Sequence, residues 1–368
     1  MDSLGAGGAE RSTADLWYFL RNEGVQVHII LLGHTTPGLE KEIMAADFNV
    51  YFLDGLSFIQ QSKAIVEKVK ELNPGVVHSI LFKANIRTRL ARLQYRFTHV
   101  ESLVNCTYDP IRLKDPNVGK AAFRFYKLLD RHTSFLVDHY HSITNTVKDH
   151  YVTELGVSPS KVTVIYRGRN GIKKSPIERY KLGFSDDDFL IINTGRHDFQ
   201  KGQIFLVRTV HLLKQRGYDN IKLLILGREG SATKSIKQYI AENILSRDIV
   251  LGGYRSNVAE ILTLGDLFAF PSLYEGLGGA LIEAQAAGLP IICNSLSVFD
   301  EVVIEGQNAL KFQSEDIESI AHAVLFFYEN REARLNFGKK SRENFESKFK
   351  LGKVNNDMFL LYKNLSNV

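Results

Sequence analysis

The stretch Leu267-Phe-Ala-Phe-Pro-Ser-Leu-Tyr-Glu-Gly-Leu-Gly-Gly-Ala-Leu-Ile-Glu-Ala-Gln-Ala-Ala-Gly-Leu-Pro-Ile-Ile-Cys293 reads as strand, loop, helix and strand in succession. A short apolar run ends at Phe270, and a glycine-rich loop follows it. Helical sequence then covers 279–287. Gly288 stands where a helix C-cap takes glycine, and Pro290 follows because it cannot continue a helix. A second short apolar run, Pro290 to Cys293, has the look of a strand buried on both faces. Strand, helix and strand joined this way imply parallel sheet covered by helices.

The same punctuation recurs on both sides of this stretch. Residues 188–194, 222–226 and 248–251 are further short apolar runs, the first two followed directly by Gly195 and Gly227. Nearer the amino terminus, 25–32, 50–53, 75–79, 99–103, 141–144 and 162–165 read as strands, with helical spacing over 58–72 and 84–93. Residues 166–184 are polar, basic and without strong periodicity, so the linker is read there. Two doubly wound halves joined near residue 170 are expected. Such sheets bind ligands beyond the carboxyl ends of their strands, so two facing halves make a cleft.

Composition bounds the answer. A chain of 368 residues suits two domains. With 44% hydrophobic and 24% charged residues, it is not a disordered, collagen-like or disulfide-framework protein. Lys plus Arg less Asp plus Glu is 46 − 41 = +5, too weakly basic to argue for nucleic acid. That balance suits an anionic substrate or an anionic membrane surface. The two cysteines, Cys106 and Cys293, read as small buried hydrophobes of a reducing cytosol. No apolar run approaches the roughly 18 residues of a membrane span, and no secretory signal opens the chain.

Three glycine-containing loops have the chemistry of phosphate sites. The first, Leu4-Gly-Ala-Gly-Gly-Ala-Glu10, leads into a helix over 11–22, where backbone N–H groups and the helix terminus favour an anion. Parallel sheets normally place a strand before such a loop. Met1-Asp-Ser3 leaves no room for one, so a gap in the core is expected, and a chain extended by an apolar strand should be more stable. The second loop, Thr194-Gly-Arg-His-Asp-Phe-Gln-Lys-Gly202, offers Arg196 and Lys201 at the end of a buried strand. The third lies within the opening stretch. Glu275 precedes its helix, and Glu283 sits on that helix amid Ala, Leu and Ile. A carboxylate on so apolar a helix faces a polar ligand or a buried partner.

Glu-x7-Glu within Glu-Gly-Leu-Gly-x4-Glu, Gly-Gly-Ala-Glu at 7–10 and Gly-Arg-x4-Lys-Gly at 195–202 stand in one order. Together they resemble glycosyltransferase family 4, the retaining glycosyl transferases of group 1. The resemblance implies the GT-B fold: two facing Rossmann-like, doubly wound α/β domains with a C-terminal crossover helix, here with the first strand missing. It implies an acceptor-side domain of 1–168 plus 352–368 and a nucleotide-sugar-binding domain of 169–351. Catalytic roles fall to Glu275, Arg196 and Lys201. Arg196 and Lys201 would hold the diphosphate, Glu275 the sugar and Glu283 the ribose. The amides of Gly276, Leu277 and Gly278 would assist, with Gly195 beside the cations. Tyr254 and Arg255 would lie by the base, and Gly7 and Gly8 would close on the diphosphate. No metal and no cofactor are implied, because fixed cations take the leaving charge. The acidic run Asp186-Asp-Asp188 precedes a strand and reads as a solvated turn. Many relatives carry a histidine on the acceptor side, where this sequence has Asn105.

The function so implied is a retaining glycosyltransferase of hexosyltransferase type. It would move a sugar from a nucleotide-diphosphate sugar to a glycan or lipid-linked acceptor, in bacterial cell-surface polysaccharide or glycolipid assembly. The protein would be cytoplasmic and peripheral at the inner face of the membrane, with no nucleic-acid partner. The segment 120–129 mixes basic and aromatic residues at helical spacing and suits either an anionic membrane or packing on its own domain. Two other readings stay open: a non-catalytic or truncated sugar-nucleotide-binding protein, and a nucleotide-sugar epimerase of the same fold. A dinucleotide-dependent dehydrogenase is disfavoured, since no Gly-x-Gly-x-x-Gly follows a strand with an acidic residue about 20 positions on.

Overall fold

Every residue from Phe189 to Thr194 is buried, and the strand they form lies inside the larger sheet of the protein. The computed structural model describes residues 1–5, 7–36, 38–172 and 177–366. The chain divides into two compact units. One comprises Met1–Asp109, Val118–Gly168 and Leu351–Val368, the other Pro110–Asn117 and Arg169–Lys350. The segment Pro110–Asn117, expected with the first domain, belongs to the second. There the Arg112 guanidinium stands 5.9 Å from the centre of the Tyr274 ring, and Lys114 Nζ lies 4.0 Å from Glu315 Oε1. Residues 173–176 of the expected linker lie outside the described residues.

The first unit carries β1 (His28–Leu31), β2 (Asn49–Phe52), β3 (Val77–Ile80), β4 (His99–Leu103), β5 (His139–Ser142) and β6 (Val162–Val164). Its helices are α1 (Gly8–Asn22), α2 (Glu40–Ala45), α3 (Phe58–Leu72), α4 (Phe82–Gln94), α5 (Lys120–Thr133) and α6 (Asn145–Leu155). The second holds β7 (Phe189–Thr194), β8 (Ile221–Leu226), β9 (Ile249–Gly253), β10 (Leu267–Phe270), β11 (Ile291–Asn294) and β12 (Ala309–Phe312). With them go α7 (Gln203–Gln215), α8 (Thr233–Glu242), α9 (Val258–Leu262), α10 (Gly279–Ala287), α11 (Ile317–Glu329) and α12 (Arg331–Lys348). A last helix, α13 (Leu351–Ser366), returns to the first unit.

Local signals set the helix limits. Ser57 and Gln60 form a reciprocal capping box at the start of α3, and Asn73 ends it in the left-handed conformation. Thr144 caps α6 and Gly156 closes it. The return of α13 is fixed by apolar burial and by long-range bonds: Val354, Met358 and Leu361 pack with Leu16, Leu20 and Ile165, Asn355 Nδ2 donates to Asp15 O at 3.3 Å, and Tyr362 Oη is hydrogen-bonded to His78 Nδ1 at 2.5 Å.

In the second unit all six strands are parallel, in the order β12-β11-β10-β7-β8-β9. Such a sheet needs helices on both faces, and the inner strands β7, β10 and β11 are buried along their whole length for that reason. In the first unit the strands form two separate parallel sheets, β1-β2 and β3-β4-β5-β6. Where one continuous sheet is the doubly wound norm, the sheet is interrupted between β1 and β3.

The first unit also buries a charged cluster. Arg89 is 1% exposed and forks onto Glu101, with Nε to Oε2 at 2.8 Å and Nη2 to Oε1 at 2.6 Å. Its Nη1 donates to Asp130 Oδ1 at 2.6 Å, and Tyr108 Oη donates to Asp130 Oδ2 at 2.7 Å. Desolvation pushes the Glu101 carboxyl upward and the guanidinium opposes it. Planar bidentate pairing with every oxygen satisfied is what makes such burial tolerable.

Candidate active site of the second unit

Strand order in the second unit reverses between β7 and β10. In open α/β sheets a ligand crevice forms at that reversal, beyond the strands' carboxyl ends. Thr194 and Phe270 end these strands, and each hands the chain to one of the glycine-containing loops. The two loops are bonded together. Leu273 N donates to Gln200 O at 2.8 Å, and Gln200 Nε2 donates to Tyr274 O at 2.7 Å. Gly202 makes this approach feasible: its φ is +60°, and a Cβ there would lie 2.3 Å from Pro271 O. No other residue type fits both conditions.

Within this frame Lys201 Nζ is ion-paired with Glu275 Oε1. The Lys201 ammonium also lies 5.5 Å from the centre of the Phe270 ring, and its aliphatic stem crosses over Gly195. Arg196 is 60% exposed and pairs with Asp198, whose Oδ1 accepts from Ser231 N at 3.0 Å. The site thus presents one half-buried cation fixed against a carboxylate and one outward cation anchored at its root. His197, next to Arg196, is buried, and burial lowers its pKa, so its ring is neutral.

Gly278 precedes α10 at φ +81°, with Phe299, Leu281 and Phe270 packed about it. Glu283 lies on the second turn of α10, and its Oε1 accepts from Arg169 Nε at 2.7 Å. The same guanidinium reaches the start of the helix: a Cβ on Gly279 would meet Arg169 Nη2 at 2.7 Å. The apolar character of α10 is explained by the burial of Leu281, Ile282, Ala284 and Ala286 beneath it. Sequence reading missed Arg169, which sits in the linker region and whose partner is 114 positions away. The charge of Glu283 signalled that some partner existed.

The remaining expected residues are placed as follows. Gly276 and Leu277 belong to the loop between β10 and α10, and Leu277 is buried. Tyr254 is exposed just after β9, and Arg255 folds back so that Nε donates to Gly252 O at 3.1 Å. Gly7 and Gly8 lie in the first unit, where Gly7 is the N-cap of α1 and Gly8 its first residue. Asn105 follows β4, and its Oδ1 is buried without a hydrogen-bond partner among the described residues. Cys106 and Cys293 are both buried. Among the described residues no three His, Cys, Asp or Glu side chains cluster to hold a metal ion, and no helix is long and apolar enough to cross a membrane.

Known proteins share this architecture throughout. The structure of Anabaena HepE in complex with UDP-glucose superposes with a TM-score of 0.85 at 17% identity, over 100% of this chain and 98% of that one. A glycosyltransferase from Rickettsia africae gives a TM-score of 0.80 at 20% identity, over 99% and 97% of the two chains. The fold is therefore GT-B, built of two Rossmann-like α/β domains. Residues 6–170 match the family model for glycosyltransferase family 4, and residues 174–344 match that for glycosyl transferases group 1. The chain belongs to this family of glycosyltransferases. Its relatives include a UDP-Gal:alpha-D-GlcNAc-diphosphoundecaprenol alpha-1,3-galactosyltransferase of Escherichia coli, 23% identical over 86% of this chain and 84% of the relative. Another is the capsular polysaccharide biosynthesis glycosyltransferase CapH of Staphylococcus aureus, 26% identical over 81% of each.

Proposed function

We propose that the protein is a retaining, metal-independent hexosyltransferase that moves a sugar from a UDP-sugar to a lipid-linked glycan in surface-polysaccharide assembly. The observation that carries this reading is the Lys201–Glu275 pair with Arg196 beside it, on two loops at the strand-order reversal. Departure of a nucleoside diphosphate builds anionic charge, and cations already in place stabilise it without reorganisation. Arg196 and Lys201 take the diphosphate oxygens, with the amides of Gly276 to Gly278 at the α10 terminus. Glu275 orients the sugar. Glu283 accepts from the ribose hydroxyls, its rotamer held by Arg169. Choice of UDP and of a diphosphoundecaprenol-type acceptor follows the relatives' own names.

In the proposed step an acceptor hydroxyl oxygen attacks the anomeric carbon from the face that the diphosphate leaves. The bond from that carbon to the phosphate oxygen breaks, its electron pair staying on oxygen. The hydroxyl proton passes to the same phosphate oxygen, so the anomeric configuration is retained and no side-chain base is needed. Membrane contact falls to α5, where Phe125, Tyr126 and Leu128 are exposed among Lys120, Arg124 and Arg131. An apolar stripe flanked by cations suits an anionic lipid surface.

The test is a titration of UDP, GDP, ADP and their sugars, read by thermal shift and calorimetry with chelator present. Binding of a uridine ligand that persists in chelator and is lost in Arg196→Ala and Glu283→Ala supports the donor site. An absent shift with every nucleotide, from a folded sample, favours the non-catalytic reading. NMR of the product linkage decides the stereochemistry, and an inverted anomer rules out the proposed step. Binding to vesicles containing anionic lipid, abolished by Phe125→Ser with Leu128→Ser, tests α5.

A further inference from the structure

The ladder between β7 and β10 ends at the Ile192–Phe268 pair, whereas β7 stays paired to β8 as far as Thr194–Leu226. The two strands therefore part where the strand order reverses. A side chain bridges the gap. Asn193 follows the four apolar residues of β7 and is 1% exposed, and its Nδ2 donates to Ala269 O at 2.8 Å, one residue past the last pair. Its Oδ1 accepts from Gln203 Nε2 at 3.0 Å. Gln203, the first residue of α7, is equally buried, and the same Nε2 donates to Gly195 O at 3.0 Å. A carbonyl oxygen stands at each end, so only one orientation of the two amides satisfies the chain of bonds.

This chain of bonds ends on the peptide that roots both cations of the donor loop. Gly195 N donates to Leu226 O at 2.8 Å, and Gly195 O lies so close to Gly227 that a Cβ there would stand 2.0 Å from it. Gly195 is thus held by β8 through its N–H and by Gln203 through its C=O. That C=O shares one plane with the N–H of Arg196, so the direction in which Arg196 leaves β7 is set as well. The stem of Lys201 crosses the same residue, with Cδ 3.4 Å from where a Cβ of Gly195 would be. Burying two amide side chains costs desolvation that apolar residues avoid. An apolar pair would fill the space without that cost, so packing alone does not account for the amides.

We infer that Asn193 and Gln203 are positioning residues for the diphosphate. They span the gap between β7 and β10 and hold the Gly195–Arg196 peptide at one angle, so that Arg196 and Lys201 meet the phosphates without reorganising. Neither amide touches the ligand, and each acts through Gly195. The inference rests on the donor site proposed above and names the part of the donor the amides serve: the diphosphate, while the ribose falls to Glu283 on a different element.

The test compares Gln203→Met and Asn193→Val with Thr209→Val, which removes a different buried bond of α7, from Thr209 Oγ1 to Phe205 O at 2.9 Å. UDP and UMP are titrated by calorimetry, with urea denaturation alongside. Gln203→Met should weaken UDP about tenfold and UMP less than about threefold, with Asn193→Val moving in the same direction. Thr209→Val should lose stability and keep the wild-type ratio of UDP to UMP affinity. Amide exchange gives a readout that needs no nucleotide: at His197 and Lys201 it should quicken roughly tenfold or more in Gln203→Met and stay unchanged in Thr209→Val. The wild-type ratio in both folded amide variants overturns the inference, whether the two affinities hold or fall together. A changed ratio in Thr209→Val overturns it too, since any loss from α7 would then suffice. A wild type that binds no nucleoside diphosphate sinks the donor reading itself. Exchange then decides what the amides do: quickened exchange supports their hold on the loop, and unchanged exchange overturns it.

Discussion

Arg169 and Glu283 are joined by a 2.7 Å bond that ties the first residue of the second unit's main segment to the second turn of α10. The guanidinium is 10% exposed and the carboxylate 31%, so the pair is shielded on the arginine side and open on the glutamate side. A carboxylate fixed from behind and presented in front is prepared to accept hydrogen bonds from a ligand.

Replacing Arg169 by alanine should therefore weaken nucleotide binding about tenfold through loss of preorganisation alone. Stability should fall by about 1–2 kcal/mol, less than for a fully buried pair. Calorimetric titration with UDP and urea denaturation measure the two effects separately. Unchanged affinity in a folded Arg169→Ala protein would detach Glu283 from the donor site.

Gly202→Ala should cost about 2 kcal/mol or more, since a left-handed backbone and a close carbonyl both oppose a Cβ. The same change should separate the loops after β7 and β10, because the bonds between Gln200 and the 273–274 backbone run beside it. Thermal melting and nucleotide binding should fall together. Gly217→Ala, where no atom lies within 4 Å of the added Cβ, should lose stability by backbone strain while leaving binding intact.

Arg89→Met should destabilise the protein by about 3–5 kcal/mol, because it strands the buried carboxylates of Glu101 and Asp130. Neutralising both carboxylates as well, in Arg89→Met with Glu101→Gln and Asp130→Asn, should recover part of that loss. Urea denaturation followed at Trp17 measures each variant.

Two buried histidines and a half-buried third predict an acid limit for the first unit. His141 is held at about 4 and His99 at about 3, and His78 is also pushed well down, desolvation being the main cause in each. Their rings stay neutral in the folded protein and take up protons on unfolding below about 6.5. Stability is therefore full above that pH and is lost as pH falls through the window from about 6.5 to 4 and on toward 3. Each histidine contributes a slope of about 1.4 kcal/mol per pH unit in that window. Denaturation at a series of pH values checks the window, and His141→Asn should shallow it by one proton.

The βαβ unit of 267–293 could be read directly, because its apolar runs, its glycine cap and its proline are local signals. Helix α10 spans Gly279–Ala287, and Gly288 ends it in the left-handed conformation, as that punctuation requires. The helical spacing over 58–72 was equally legible, and it coincides with α3. What escaped reading depends on distance along the chain. Arg89 lies in a helix rich in cations and looks solvated until Glu101 and Asp130 arrive from other elements. The excursion Pro110–Asn117 carries no local mark of the unit it joins. The pairing of Lys201 with Glu275 spans 74 positions, so sequence supplied both charges but not their contact.

The return of α13 to the first unit has a consequence for the newborn chain. Synthesis runs from the amino end, and the helix that covers Leu16, Leu20 and Ile165 leaves the ribosome only after the whole of Arg169–Lys350. The segment Arg169–Lys350 carries a complete six-stranded sheet and can assemble while translation continues. The first unit must wait with an apolar flank uncovered. Order of emergence is thus reversed as order of completion: the half made first is finished last, and in that interval it is the half a chaperone would hold.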